Sequence, residues 1–551
     1  MPEDIKKDLT VLIPAAGIIK TPFNIKSASK DPSFLNMGHS LAIKEIKEKY
    51  DYKILLSVQK KSKKFFQLIP FKGIQILEVG LTNSISDTIY TAIENVKTKW
   101  CLINPITTLP DTDFIETPFI EFGSKLIPKE KWSALIFNKD DYPLFINKSS
   151  NNYLGILSHP FTGRILAKTE DIISVINNLE ESEKDDCINI AISLFKEAKV
   201  NIKYCKSWLD IGHQATYPLL KKSTITSRFF NSMIFDEDNN SIIKRSSNKQ
   251  KIDNEINFYK NIPNEIKRYF PPILSIEQKT NYSSYEMEFI SKPTLSEIYL
   301  FNEIGHNAIY RIFNSIEKVL ETFYGKKHVA EDCPTWIYSA KTNSRIENLS
   351  KIINQNENDD NNILESIYNN SFKINNINFP SLKRTFLSLK EQIKKFDSVS
   401  PLFIGHGDLC FNNILVDPLY GNLNLIDPKA EKYFDNNIYG LVDKFYDLSK
   451  LNHSIEGIYD SVVNYLFKLE ILDLNNISFE VYKPKEYDIY NMYFSEIISY
   501  KRIKKDDLRL LTANLFFSML PLHIENVKKV IALAFLGNIF FYGHSMKKVF
   551  L

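Results

Sequence analysis

At 551 residues the chain is longer than one ordinary hydrophobic core can serve, which predicts two domains. Its 44% hydrophobic and 25% charged residues exclude disorder as the main state. With 69 basic and 66 acidic residues the net charge is +3, too balanced for the electrostatic footprint of a nucleic-acid partner, so none is expected.

Residues 1–17 (MPEDIKKDLTVLIPAAG) lack the apolar core and small-residue cleavage site of a signal peptide and run directly into a strand pattern. Residues 510–542 are the most apolar late stretch, but His523, Glu525, Lys528 and Lys529 interrupt it, so core helices are expected and no membrane insertion. Cys101, Cys187, Cys205, Cys333 and Cys410 are scattered without CxxC spacing, which fits reduced thiols in a cytoplasmic protein and indicates no zinc site. Lysine runs such as residues 59–64 (QKKSKK) are expected to be solvated faces. The oligomeric state is left open.

In chain order, residues 9–16 (LTVLIPAA) read as a strand buried on both faces of a parallel sheet. A helical pattern at 41–50, strands at 52–58 and 74–79, a helix at 87–96 and a strand at 100–104 continue the alternation of an α/β unit, a doubly wound sheet.

The opening IPAAG, SDTIYTAI at 86–93, WCLINP at 100–105 and WLDIGHQATY at 208–217 resemble the sugar-phosphate nucleotidyltransferases. The resemblance implies a nucleotidyltransferase-like domain over residues 1–222. Departures from the family pattern are clear. The phosphate loop reads AAGIIKTPFN, with Ile18 and Ile19 where small residues belong and no arginine, and Pro32-Ser33 stands where a Pro-Lys pair is expected. Ile106 and Thr107 occupy the positions of the family's Gly-Asp metal pair, and Asp111 comes four residues later. Only Asp210 matches a family metal aspartate, and one carboxylate is a poor site for a hard divalent cation; its alternative role is to brace the turn beside Gly212. The expectation is a fold whose catalysis is lost or strongly altered.

From Thr224 the pattern changes. ITSRFFNSMIF and SIIKRSS flank the turn DEDNN, which is hairpin chemistry and opens a second domain over residues 223–551. Lys244 ends the second strand, and a helix expected over 253–260 carries Glu255 in its first turn. Residues 285–290 (YEMEFI) read as a strand leading into SKPTLSEIY, and residues 354–380, dense in Asn and Asp, read as a mobile connection or insertion without chemistry.

Residues 404–430 (IGHGDLCFNNILVDPLYGNLNLIDPKA) hold the chemistry. Asp408 and Asn413 have the Asp-x4-Asn spacing of a loop that aims a carboxylate at an acceptor hydroxyl and an amide oxygen at Mg²⁺, and a short strand at 424–426 delivers Asp427 as second metal ligand. His406 is expected to brace the loop by hydrogen bonds. HGDLCFNNIL followed by LIDP resembles the aminoglycoside phosphotransferase and choline kinase family. That resemblance implies a bilobal kinase-like α+β fold, with a small lobe over about 223–292 and a helical lobe over about 293–551. It further implies that Lys244 and Glu255 hold the ATP phosphates and that Asp447, in Tyr446-Asp447-Leu448, anchors the catalytic loop. Pro428-Lys429 replaces the Phe-Gly of protein kinases and no Ala-Pro-Glu follows, so a small-molecule acceptor is expected. Asp443, Lys450 and His453 have pocket and surface placements open to them.

Three readings follow. The first is an ATP- and Mg²⁺-dependent phosphotransferase acting on a sugar, amino alcohol or polyol, by family analogy in the making of a surface-polysaccharide precursor. The second is a bifunctional enzyme whose first domain uses Asp111, Asp113 and Asp210. The third is a nucleotide-binding scaffold without catalysis.

Overall fold

The structure, a computed structural model, describes residues 2–16, 53–60, 63, 66, 73–80, 82, 84–109, 117–129, 132–206, 209–210, 231–236, 238–246, 248–301, 304–328, 338–355, 359–397, 401–432 and 439–550. The expected helix at 41–50, the phosphate loop from Gly17 onward, Pro32-Ser33, Asp111, Asp113, the turn at Gly212 and Cys333 lie outside these residues. The chain divides into two compact units, Met1–Ser223 and Thr224–Leu551.

In the first unit, Leu9–Pro14 lies between Lys53–Val58 and Trp100–Ile103, parallel to both, and Ile74–Glu78 extends the parallel edge. The strand period of two sends alternate side chains to opposite faces. Leu12 and Leu55 join a core with the helices Ile85–Ile93, Thr169–Asn178 and Ile188–Glu197, while Val11, Ile13, Ile54 and Leu56 join a second core on the other face with Ile5. Burial on both faces is why these strands read as unbroken apolar runs. The sheet is mixed rather than wholly parallel, because Leu157–Lys168 enters antiparallel to both Trp100–Ile103 and Phe119–Gly123. Asn201–Cys205 closes the far edge, parallel to Phe119–Gly123.

The second unit begins with a four-stranded antiparallel sheet in the order Asn231–Asp236, Ser241–Ser246, Ser283–Glu288, Ile273–Gln278. The helix Lys249–Asn261 packs on it, burying Ile252 and Ile256 and setting the Tyr259 ring 5.6 Å from that of Tyr285. It starts four residues before the expected 253, with Asn248 accepting from the Lys251 N–H at 3.2 Å as cap, so Glu255 stands in its second turn. Lys244 sits within its strand, paired with Met233 and Tyr285, rather than at its end.

The remainder is mainly helical. His306–Tyr324 buries Ile309, Ile312, Phe313, Ile316 and Leu320, the stripe that a 3.6-residue period predicts. Lys505–Met519 and Val527–Phe541 are buried almost all round, which explains their hydropathy. Among the described residues no helix is long and apolar enough to cross a membrane.

Of the two alternatives for the Asn- and Asp-rich stretch, a mobile connection or a packed insertion, regular structure from Asp359 onward favours the second. The stretch forms the helix Asp359–Asn369 and a hairpin of Phe372–Ile374 and Ile377–Phe379, whose turn uses Asn375 and Asn376 at φ +48° and +65°. Asparagine tolerates that left-handed backbone, so its density marked a tight turn. The hairpin joins Asn476–Val481 and Phe467–Asp473, two strands in a region expected to be helical.

Candidate active site

Two loops build the site. The strand Leu402–Ile404 ends at Gly405, and the chain turns through His406 and Gly407 to Asp408. A Cβ at Gly405 would stand 2.2 Å from Val442 Cγ2 and 2.7 Å from Asp447 Oδ2, so only glycine fits there. Gly407 takes φ +73°, the left-handed region where glycine costs least. The second loop follows Leu423–Leu425, which pairs with Ile414–Val416 and fixes Asn413 beside it. Asp427 adopts φ +57°, a sparsely populated conformation that costs about 1–3 kcal/mol and is held by its surroundings.

Asp447 pins the first loop from behind. Its Oδ2 accepts the His406 N–H at 2.9 Å and its Oδ1 the Gly407 N–H at 2.8 Å. Burial outweighs those bonds and pushes the carboxyl up to about 7. His406 is fully buried and stacked on Phe270 at 5.9 Å. Its Nδ1 accepts from the Asp408 N–H at 3.2 Å and its Nε2 lies 2.9 Å from the Ile426 carbonyl. The tautomer that satisfies both carries the proton on Nε2, and burial lowers the ring's pKa, so the ring ties the two loops together as a neutral brace.

Asp408 is 35% exposed, and its Oδ1 lies 2.8 Å from Lys450 Nζ. Burial opposes ionisation, but the Lys450 ammonium prevails and holds the carboxyl well below the usual carboxylate range. Asn413 Nδ2 donates to the Asp408 carbonyl at 2.8 Å and to Asp408 Oδ2 at 3.2 Å, which leaves the amide oxygen as the group it can offer elsewhere.

On the sheet side, Lys244 Nζ lies 2.7 Å from Glu255 Oε2 and 2.5 Å from Asp427 Oδ1. Tyr285 donates its hydroxyl to the same Glu255 oxygen at 2.8 Å. Burial works against the Lys244 charge, yet Asp427 and Glu255 together keep its pKa above the usual value. Burial raises Asp427 but Lys244 lowers it further, so it stays ionised, whereas burial pushes Glu255 up. Glu255 is 2% exposed and Asp427 49%, so one partner anchors the lysine and the other faces open space.

The structure thus brings Lys244, Glu255, His406, Asp408, Asn413, Asp427 and Asp447 into one neighbourhood, and Asp408, Asn413 and Asp427 line a cavity of about 310 Å³. Lys450 and His453 also line it, whereas Asp443 is buried away from the surface, accepting the Phe445 and Tyr446 N–H groups. Lys251, Lys341, Arg345 and Lys429 line the cavity too. Sequence reading passed over Lys251, Lys341 and Arg345 because a basic residue on a polar helix looks the same whether it faces solvent or a pocket. Their only signal is spacing: Lys251 lies four residues before Glu255, and Lys341 four before Arg345.

In the first unit, Leu209–Asp210 pairs antiparallel with Thr108–Leu109, which sets the Asp210 backbone opposite Thr108. The turn after Trp100–Ile103 is closed on itself. Asn104 Nδ2 donates to the Pro105 and Thr108 carbonyls, and Ile106 is buried. Among the described residues no group of three His, Cys, Asp or Glu is placed to hold a metal ion.

No family model matches the chain, and no curated protein matches it. Solved structures resemble both parts. A thermostable mutant of aminoglycoside phosphotransferase APH(4)-Ia in its apo form resembles the larger C-terminal part, covering 59% of this chain and 98% of its own at 9% identity and a TM-score of 0.36. For the N-terminal region, a candidate glucose-1-phosphate thymidylyltransferase from Bacillus anthracis, in complex with sucrose, covers 40% of this chain and 97% of its own at 13% identity and a TM-score of 0.31. An apo UDP-glucose pyrophosphorylase covers 39% and 98% at 11% identity and a TM-score of 0.29. At these identities and TM-scores the likeness extends to neither substrate nor reaction.

Proposed function

We propose that the chain is an ATP- and Mg²⁺-dependent phosphotransferase that moves a phosphoryl group to a hydroxyl of a small molecule. The observation that carries this reading is the meeting of Lys244, held by Glu255, with Asp427 at 2.5 Å, on a cavity that Asp408 and Asn413 also line. A lysine between a buried and an open carboxylate is a cation fixed in place yet able to give up one partner, as a phosphate-binding lysine must.

The donor set fits Mg²⁺. The half-exposed Asp427 carboxylate and the Asn413 amide oxygen are hard oxygen donors, and this ion takes one or two protein ligands and keeps several waters. When bound, the ion would offset charge on the transferred phosphate oxygens. Asp408, kept ionised by Lys450, would orient the acceptor hydroxyl and receive its proton late. His406 and Asp447 act through the loop they hold. The N-terminal unit is read as a nucleotidyltransferase-like domain without its metal pair, supported by the buried Ile106 in the closed turn.

ADP release from ATP by the full chain, screened over hydroxylated acceptors, tests the reading. Acceptor-dependent release that is lost with Mg²⁺ chelation is expected. A chain that binds no ATP by calorimetry sinks it.

A further inference from the structure

We propose that the acceptor is an anion: a small hydroxylated compound carrying a phosphate or carboxylate group, which Lys341 and Arg345 bind. The proposal rests on the phosphotransferase reading and names the substrate class for the same cavity.

Five cationic side chains line the cavity against two carboxylates, Asp408 and Asp427. Three of the cations already have acidic partners. Lys450 is held by Asp408 at 2.8 Å, Lys429 by Glu431 at 2.9 Å, and Lys251 stands 3.8 Å from Glu255. Lys341 donates at 2.6 Å to the Tyr446 hydroxyl, and Arg345 forms no ion pair among the described residues. These two residues stand one turn apart on the helix Ser339–Gln355, on one face. A lysine and an arginine without carboxylates, sharing one wall of a cavity, suit a phosphate or carboxylate oxygen set.

The charges separate into two ends. Lys244 and Lys251 act on Asp427, the end assigned to the nucleotide. Lys341, Lys429 and Lys450 act together on Tyr446, and Lys341 also acts on Asp408. Although burial opposes its ionisation, the Tyr446 hydroxyl is pulled down to about 8 by those three ammonium groups, so the field there is strongly positive. An amino alcohol would meet like charge in that field, and an anion would relieve it. His453 adds a neutral contact: it lines the same cavity, is 1% exposed, and its Nε2 has no hydrogen-bond partner among the described residues.

The test is ADP release by the full chain over matched acceptors: glycerol, ethanolamine, glycerate and glycerol 3-phosphate, with glucose, glucosamine, gluconate, glucose 1-phosphate and glucose 6-phosphate. Turnover is expected only with anionic members, and comparing phosphates with carboxylates identifies the group. Arg345→Ala should raise the acceptor KM about tenfold or more, the loss of one charge-assisted hydrogen bond, with the ATP KM unchanged and partial recovery in Arg345→Lys. Lys341→Met should act in the same direction. Equal use of neutral or amino acceptors overturns the proposal, as does an Arg345→Ala effect on the ATP KM instead of the acceptor KM. Absence of turnover with every anionic member overturns it too, and ATP binding retained by calorimetry would leave the broader reading standing. Loss of ATP binding in the unmodified chain would sink both.

Discussion

Each unit buries a cation beside a carboxylate, and the two pairs are built for different ends. In the N-terminal unit Arg164 Nη1 meets Glu121 Oε2 at 2.7 Å between neighbouring strands, with side chains 2% and 1% exposed. Around it, Thr162 donates to the Glu121 carbonyl and accepts from the Arg164 N–H. The pair is closed. In the C-terminal unit Lys244 has a second carboxylate, Asp427, that is half exposed and faces a cavity. Burying an ion pair gives little net stability in either place, because desolvation consumes most of the attraction. What differs is whether a charge remains within reach of a ligand, and openness of one partner separates a site from a brace.

The sharpest way to break the contrast is at the open end. Asp408→Asn keeps the shape of the loop but removes the carboxylate, and acceptor-dependent ADP release should fall by about 10²–10⁴-fold with ATP binding retained. Unchanged turnover would remove Asp408 from the chemistry. Next come the two cations themselves. Arg164→Met strands the Glu121 charge and should destabilise its unit by about 3–5 kcal/mol, with turnover per folded molecule unchanged. Lys244→Met should show the reverse balance: a large loss of turnover and a smaller stability cost, because Asp427 can recover water and Glu255 keeps the Tyr285 hydroxyl. Urea unfolding and steady-state rates on both variants decide this, and equal stability losses would erase the distinction.

A smaller effect is expected at Asp447, whose burial lifts it from 3.8 to about 7. Between those values the folded chain keeps a proton that the unfolded chain has released, so this group's contribution to stability falls as pH rises through the window. Below about 4 and above about 7 it is level. Asp447→Asn does not titrate and leaves one of two backbone N–H groups without an acceptor, at about 1–3 kcal/mol. Its cost measured at pH 5 should therefore exceed its cost at pH 8. Equal costs at the two pH values would mean the carboxylate is ionised throughout.

Much of this site was legible because its parts are local. The segment from His406 to Asp427 spans 22 residues, and its order alone placed a loop, a second loop and the strands between. Lys244 and Glu255 were legible as a strand lysine followed by a helix, although the helix begins at Lys249, since its Asn248 cap lies outside the apolar periodicity. Lys341 and Arg345 were not legible. They reach the cavity through the packing of Ser339–Gln355 against elements such as Lys505–Met519, contacts between segments far apart in the chain. The hairpin at 372–379 was missed for a different reason, because asparagine density reads as loop until its neighbours Phe372, Ile374 and Phe379 are known to be buried.

The smallest effect sharpens the contrast from the helix that carries Glu255. Asn248 caps Lys249–Asn261 by accepting the Lys251 N–H, and Asn248→Ala should cost about 1 kcal/mol. Buried Ile252 and Ile256 and the Tyr259–Tyr285 ring contact still hold the helix, and the 2.7 Å contact from Glu255 to Lys244 lies more than a turn beyond the cap. Stability should therefore drop while the KM for ATP and the turnover number hold. A rise in the ATP KM without loss of stability would show that the first turn, with Lys251 on the cavity wall, contributes to the nucleotide end directly.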